Sequence, residues 1–296
     1  MKDLTSSIYN FEDLINGQYF YVDKTEYIWK LVRPYKGIYF MSRPRRFGKS
    51  LTVSTLKAIF QGKKDLFKGL AIHGKEYDWK EYPVIHLDMA NCNAKNAVEL
   101  EDFLFDMLSS LADHFGVEIR GQSNATRFEF LIRDVVSAAG APAVILLDEY
   151  DKPILNTLAT PEVTACRDVL RGFYSPIKKC ESLERFVFVT GVTKFSHVSL
   201  FSELNNLADI TMYADYATML GYTQQEFEDN FREEIDQTSA RLKIPRGELL
   251  QKIKDWYDGY RFHAGAESVY NPVSLASFFL SGGEFNNYWF STGTPS

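Results

Sequence analysis

The sequence predicts an α/β protein, a parallel sheet flanked by helices, on three observations. Short runs of β-branched and aromatic residues alternate with longer segments whose apolar positions recur at helical spacing, the pattern of a sheet covered by helices. One run, Ala143–Leu147 (AVILL), is apolar without interruption, as in a strand buried on both faces. The 296 residues are 45% hydrophobic and 24% charged, which allows one large domain or two ordinary ones and excludes collagen-like, disordered and disulfide-scaffold classes.

The first strand is placed at Gly37–Ser42, GIYFMS, followed by a loop and a helix over about Lys49–Phe60. The second strand, Pro83–Met89, begins at a proline, which a strand tolerates at its first residue. Over Val98–Phe115, Leu100, Phe103, Leu104, Met107, Leu108 and Leu111 share one helical face. A helix over Thr126–Ala139, the strand within PAVILLDEYD, a helix over about Pro161–Lys179 and a last strand at Arg185–Gly191 complete a four-stranded pattern. From about Tyr222 the character changes. Thr223–Glu226, TQQE, fits a capping box, the segment to Leu242 is polar and helical, and another helix follows Pro245. The expected division is therefore 1–220, a core with an N-terminal extension, and 221–296, a small, mainly helical subdomain. The last residues, NNYWFSTGTPS, show no evident closure, and the sequence is expected to be part of something longer.

With 33 basic and 39 acidic residues the net charge is −6, far from the basic domains that hold nucleic acid through overall charge. The three cysteines, Cys92, Cys166 and Cys180, have no CxxC pairing and point to a reducing compartment. The N-terminus lacks the succession of a secretory signal and no apolar run is of membrane length, so a cytoplasmic location without a membrane span is expected.

The strongest chemical signal lies between the first strand and its helix, Ser42–Ser50, SRPRRFGKS. A phosphate-binding loop needs backbone N–H groups curled toward an anion, a helix N-terminus, a lysine for the terminal phosphates and a hydroxyl for magnesium. Gly48, Lys49 and Ser50 supply the second half of that pattern. At the first glycine position stands Arg43, whose side chain must point away from the phosphates unless the loop opens differently. Downstream, the buried strand ends in Asp148 and Glu149, where one carboxylate can meet magnesium and the next can orient an attacking water. Both elements fall at carboxyl ends of parallel strands, the edge where α/β sheets bind ligands. On the last strand, Thr190 can touch the attacking water or terminal phosphate, or simply cap the turn before Gly191; Thr193 and Lys194 follow. Asp88 reads either as a further carboxylate of the site or as a helix cap.

Six ordered motifs, YVDKT (Tyr21–Thr25), RPRRFGKS (Arg43–Ser50), LLDEYDKP (Leu146–Pro153), TGVTKFS (Thr190–Ser196), GYRF (Gly259–Phe262) and YNP (Tyr270–Pro272), resemble those of the bacterial AAA-ATPase-like proteins. The resemblance implies a P-loop ATPase core with a helical lid, and makes Arg43 the family's own variant of the Walker A loop. It implies that ATP is bound by Arg43, Pro44, Arg45, Arg46, Phe47, Gly48, Lys49, Ser50 and Leu51, with Mg2+ held by Ser50 and Asp148. Asp148 becomes the Walker B acid and Glu149 the catalytic glutamate, beside Lys49 and Thr190. Arg261 is similar in placement to a lid arginine that reaches the terminal phosphate, with an ion pair to a neighbouring acid as the alternative. Tyr21 or Asp23 can contact the base, or the YVDKT segment can simply pack against the lid. His197 and His263 lack partners at metal spacing and are expected to be packed or exposed. Members of the family typically continue into a PD-(D/E)XK nuclease-like domain.

Three functions are compatible with these residues. The leading one is a magnesium-dependent ATPase that drives or switches an attached C-terminal domain. The second keeps the nucleotide without turnover, as a switch. The third uses RPRR to hold nucleic acid through phosphate contacts, a reading the charge of −6 disfavours. Arg45 or Arg46 can also reach across a subunit interface in an oligomer. No motif identifies the base.

Overall fold

A computed structural model describes residues 3–194, 200 and 206–288. Phe195, Ser196, His197 and the end of the NNYWFSTGTPS segment lie outside the described residues. The centre is a five-stranded parallel sheet of β1 (Gly37–Ser42), β2 (Val84–Asp88), β3 (Ala143–Asp148), β4 (Glu184–Gly191) and β5 (Ala208–Asp209), in the order β2-β3-β4-β1-β5. The two strands that carry the candidate motifs are thus separated by β4. In register, Met41 lies opposite Thr190, Ser42 opposite Gly191 and Asp88 opposite Asp148, which brings these strand ends to one edge.

Strand alternation divides the core in two. Phe40, Ile145, Leu147, Val187 and Val189 face one side, against α4 (Ala97–Phe115), α5 (Asn124–Ala139) and α7 (Val163–Lys179). Met41, Val144, Leu146, Phe186 and Phe188 face the other, against α1 (Phe11–Asn16), α2 (Thr25–Val32) and α3 (Lys49–Phe60). All six residues of β3 are buried. At about 1.5–3 kcal/mol for each large aliphatic side chain, this one strand contributes on the order of 10 kcal/mol of gross apolar burial.

The four expected strands and their helices are present. β5 is additional and has no apolar run to announce it: two residues pair with Tyr39 and Phe40 at the sheet edge. α1, α2 and α6 (Lys152–Thr157) are also additional. α5 starts at Asn124 because Ser123 is its cap and Thr126 closes the capping box from the third helical position.

The C-terminal segment contains α8 (Gln224–Asn230), α9 (Arg232–Leu242), α10 (Arg246–Tyr257), a hairpin of β6 (Asp258–Tyr260) and β7 (Val269–Tyr270), and α11 (Pro272–Leu280). The TQQE capping box forms, with Glu226 N–H donating to Thr223 Oγ1 at 3.1 Å and Thr223 N–H to the Glu226 carboxylate at 2.8 Å. These helices share a core of their own, in which Phe227, Phe231, Ile253, Tyr270 and Phe278 meet Val22 of the N-terminal segment. Among the described residues, no helix is long and apolar enough to cross a membrane.

Candidate functional site

The loop between β1 and α3 begins where the Arg43 N–H bonds the Gly191 carbonyl at 3.2 Å. Two residues then take the left-handed conformation, Arg46 at φ 67° and Gly48 at φ 89°. Nothing lies within 4 Å of where a Gly48 Cβ would stand, so the backbone angle and not space favours glycine there. No side chain caps α3, which leaves its first N–H groups free to meet an anion at the positive end of the helix.

Lys49 is only 5% exposed, and its ammonium donates to the Pro44 carbonyl at 3.1 Å. Burial lowers its pKa, opposed by the negative charges of Glu149, Asp148 and Asp151. Asp148, 3% exposed, is pushed up to about 6 by burial, against a hydrogen bond from the Ser50 hydroxyl. Asp88 and Glu149 reinforce the rise through like-charge repulsion. Ser50, Asp148, Glu149 and Lys49 therefore share one patch at the strand ends. Its carboxylates suit a cation, and the hydroxyl–carboxylate pair matches Mg2+, which takes one or two protein ligands and completes its shell with phosphate and water. Among the described residues there is no group of three or more His, Cys, Asp or Glu side chains that could hold a metal by themselves.

Glu149 has φ 52°, uncommon for a side-chain-bearing residue and costing about 1–2 kcal/mol. Its neighbours hold it there. The Glu149 N–H donates to Asp148 Oδ1 at 2.9 Å, and the Tyr150 N–H bonds the Thr190 carbonyl at 3.1 Å. Asp151, fully buried, accepts from the Val192 N–H at 3.1 Å, the Thr193 N–H at 2.7 Å and the Thr193 hydroxyl at 2.8 Å. Tyr150 OH reaches the Thr193 carbonyl at 2.7 Å. DEYD is thus one unit: the first two acids face the site, and the next two residues strap down the loop after β4. Thr190, 1% exposed, sits on the strand between the two motif strands. Sequence reasoning missed Tyr150 and Asp151; the available signal was a second acid just past the strand end.

Of the two alternatives its position allowed, the Arg43 side chain takes the one that points away from the loop interior. It is 1% exposed and turns to the back of the loop, where it donates to the carbonyls of Ser42 at 3.0 Å, Thr211 at 2.7 Å and Tyr216 at 3.0 Å. Its guanidinium lies 4.0 Å from the Phe262 ring centroid, and burial lowers its pKa to about 10. A long side chain at a position that otherwise takes glycine here finds carbonyls behind the loop. RPRR is consequently not one basic patch: Arg43 is buried, Arg45 is exposed and Arg46 is half-buried beside the cleft.

Phe47 packs edge-on against Tyr260 and Phe262, with ring centroids 4.7 and 5.6 Å apart. Arg261, between those two rings in sequence, is exposed. The nearest acid in sequence, Asp258, holds the Gly259 N–H and the Ser268 hydroxyl. His263 accepts from the Gly265 N–H at 3.0 Å, a local turn contact. Asp88 is exposed and accepts from the Ala90 N–H at 2.9 Å, so it holds a turn and caps no helix. Lys194 pairs with Asp209 at 2.9 Å.

Beside the loop an open cleft runs between the N-terminal segment, α3 and the C-terminal segment. Tyr21, Val22, Leu51, Leu220, Tyr222 and Val273 are among its largely apolar walls, with Arg46 and Gly48 at the loop end. Such a cleft can take a flat aromatic group attached to an anion in the loop. Asp23 does not line it; its carboxylate accepts from the Thr25 N–H, the Thr25 hydroxyl and the Ala71 N–H at 2.7–2.8 Å. Lys24 donates to both Glu226 oxygens at 2.6 Å and to the Thr218 carbonyl at 2.8 Å. No single motif could have shown this cleft, because its walls come from four separated stretches of chain.

Two comparisons bear on this arrangement. The family AAA-ATPase_like, described as "Predicted AAA-ATPase", matches residues 6–201, well over half of the chain. An uncharacterized protein in the vnfD 5' region of Azotobacter chroococcum mcd 1 is 40% identical over 299 aligned residues, which cover 100% of this chain and 55% of that protein. The chain therefore spans about half the length of the curated relative it matches.

Proposed function

This chain belongs to the AAA-ATPase-like family, and on that premise we propose that it binds ATP with Mg2+ at the loop Arg43–Ser50 and hydrolyses it. The observation that carries the reading is the meeting of the Lys49 ammonium, the Ser50 hydroxyl and the Asp148 and Glu149 carboxylates at one sheet edge.

In this reading the loop is a Walker A element. The backbone from Arg46 to Ser50 wraps the phosphates, Lys49 exchanges the Pro44 carbonyl for phosphate oxygen, and Ser50 with Asp148 would hold Mg2+. The ion, when bound, screens the charge between the terminal phosphates. Glu149, turned forward by its left-handed backbone, orients and polarises the water for in-line attack. Thr190, on the strand between, lies where a side chain can steady that water or the terminal phosphate. Arg261 lies between Tyr260 and Phe262, the two rings that contact Phe47 of the loop, and from that hairpin it would reach toward the terminal phosphate. The cleft walled by Tyr21 and Tyr222 would take the base. In a longer protein the C-terminal helical segment is the lid whose movement would pass nucleotide state to the next domain, nuclease-like if the family pattern holds.

The test is Mg2+-dependent ATP binding and phosphate release by the wild type beside Lys49→Ala and Glu149→Gln. Lys49→Ala is expected to weaken binding at least about 100-fold. Glu149→Gln is expected to keep binding and lower turnover by about 10²-fold or more. Binding without turnover in the wild type would favour a nucleotide switch, and no binding at all would sink both readings.

A further inference from the structure

We propose that Arg43 and Phe262 form the joint through which occupancy of the phosphate loop sets the position of the C-terminal helical segment, an inference that rests on the nucleotide reading above. A buried guanidinium is held through the donors that find partners; in Arg43 these are Nη1 and Nη2, while Nε has no partner among the described residues. Arg43 places two of its three carbonyl bonds on Thr211 and Tyr216, in the connection that leads into the C-terminal segment. Its plane lies over Phe262, beyond the far end of that connection, at 4.0 Å. Four residues along the same loop, Phe47 meets Phe262 and Tyr260 edge-on. The loop is therefore gripped at two points by one hairpin, and the backbone between those points is what must wrap a phosphate.

The joint is wired to the phosphate end. Lys49 donates to the carbonyl of Pro44, the residue bonded to Arg43. A phosphate that draws on the Lys49 ammonium competes for that bond and moves the 44–46 backbone, with Arg43 and Phe47 fixed on either side. The C-terminal segment is also attached to the N-terminal segment, through Val22 in its apolar core and through the directional ion pair of Lys24 with Glu226 at the start of α8. Charge-assisted hydrogen bonds at 2.6 Å are directional, whereas stacked and edge-on rings slide at small cost. Lys24–Glu226 thus acts as the pivot, and the Arg43–Phe262–Phe47 cluster as the point that is pushed. Arg43 and Phe262 are positioning residues in this scheme and touch no reacting atom.

Hydrogen exchange of the full chain with and without a non-hydrolysable ATP analogue and Mg2+ tests this. In the wild type, nucleotide is expected to slow exchange about threefold or more both at 43–50 and at 258–270. Phe262→Ala is expected to bind the analogue within about threefold of wild type and keep the response at 43–50, yet lose most of that at 258–270; Phe262→Tyr restores it. A purely structural role for Phe262 would instead speed hairpin exchange equally in both states and leave the nucleotide-induced difference intact, and that result overturns the inference. Should Phe262→Ala fail to fold, Phe262→Leu supplies the same comparison, because leucine keeps apolar bulk but not the ring face under the guanidinium. No response at 43–50 in the wild type would overturn the nucleotide reading as well, which separates the two failures.

Discussion

Both ends of the central sheet bury charge, but they treat it differently. At the carboxyl ends of the strands, Arg43 places Nη1 and Nη2 on carbonyls, with Nε unpartnered among the described residues, while Lys49 lies on Pro44, Asp148 on Ser50 and Asp151 on the loop after β4. At the amino ends, Glu184 and Arg185 open β4 at 4% and 5% exposure. There, neither Glu184 oxygen and not the Arg185 Nη1 has a hydrogen-bond partner among the described residues, and Tyr77 OH and Trp79 Nε1 are in the same position. Arg185 sits over the rings of Phe60 and Tyr82 and donates once, to the Val32 carbonyl at 2.7 Å. Burial of charge does not by itself mark a site. What distinguishes the phosphate-loop end is that its charged groups face one another and a strained, hydrogen-bonded backbone.

The strongest way to break this comparison is Asp148→Asn. If the carboxyl-end cluster is the reacting site, Mg2+-dependent phosphate release should fall about 10²–10³-fold while the unfolding midpoint changes little. Equal effects on both would reduce Asp148 to a packing role.

Next in size is Asp151→Ala, which strands the Val192 and Thr193 N–H groups in a buried loop. A loss of about 2–3 kcal/mol in urea unfolding is expected. No loss would mean that the strap across DEYD and the β4 loop is slack.

A pH series sharpens the contrast further. Asp148 has its pKa raised to about 6, so its contribution to stability is fully present below about pH 4 and is lost as pH rises through 6. Metal binding needs the carboxylate and runs the other way. Mg2+·nucleotide affinity should rise up to about tenfold per unit as pH climbs toward 6, and Asp148→Asn should flatten that part of the rise. An identical rise in both proteins would assign the proton to the nucleotide.

The smallest effect belongs to the opposite end. Burial raises Glu184 to about 8, so its stability contribution is present below about pH 4.5 and lost as pH rises through 8. Glu184→Gln should therefore be more stable than wild type at pH 9 by roughly 1–2 kcal/mol, with nucleotide binding unchanged. Removing the Asp151 carboxylate would then destabilise at the site end, where it is hydrogen-bonded, and removing the Glu184 charge would stabilise at the other, where it is not; the same sign in both would erase the distinction drawn here.

Much of the fold was legible because it rests on local rules. The uninterrupted run Ala143–Leu147, the helical spacing of Leu100, Leu104 and Leu108, and the TQQE cap each announce an element within a few residues. β5 was not legible, because two residues at a sheet edge have no periodicity and pair only where β1 has already been placed. Of the candidate site, Gly48, Lys49, Ser50, Asp148 and Glu149 could be read from type and spacing. That Tyr150 and Asp151 strap the loop after β4 could not, since their partners there lie some 40 residues away.

The sequence by itself determined the parallel α/β class, the glycine-lysine-serine helix start and the paired acids at a strand end, because backbone angles, strand alternation and side-chain chemistry are written residue by residue. Tertiary structure alone decided that Thr190 stands between the two motif strands, that the Arg43 guanidinium lies over Phe262, and that the cleft beside the loop has walls from four stretches of chain. Those outcomes depend on which distant carbonyl, ring or strand edge comes within a few ångströms. Such proximity is fixed only when the two faces of the sheet are packed and the C-terminal helices close over the N-terminal segment.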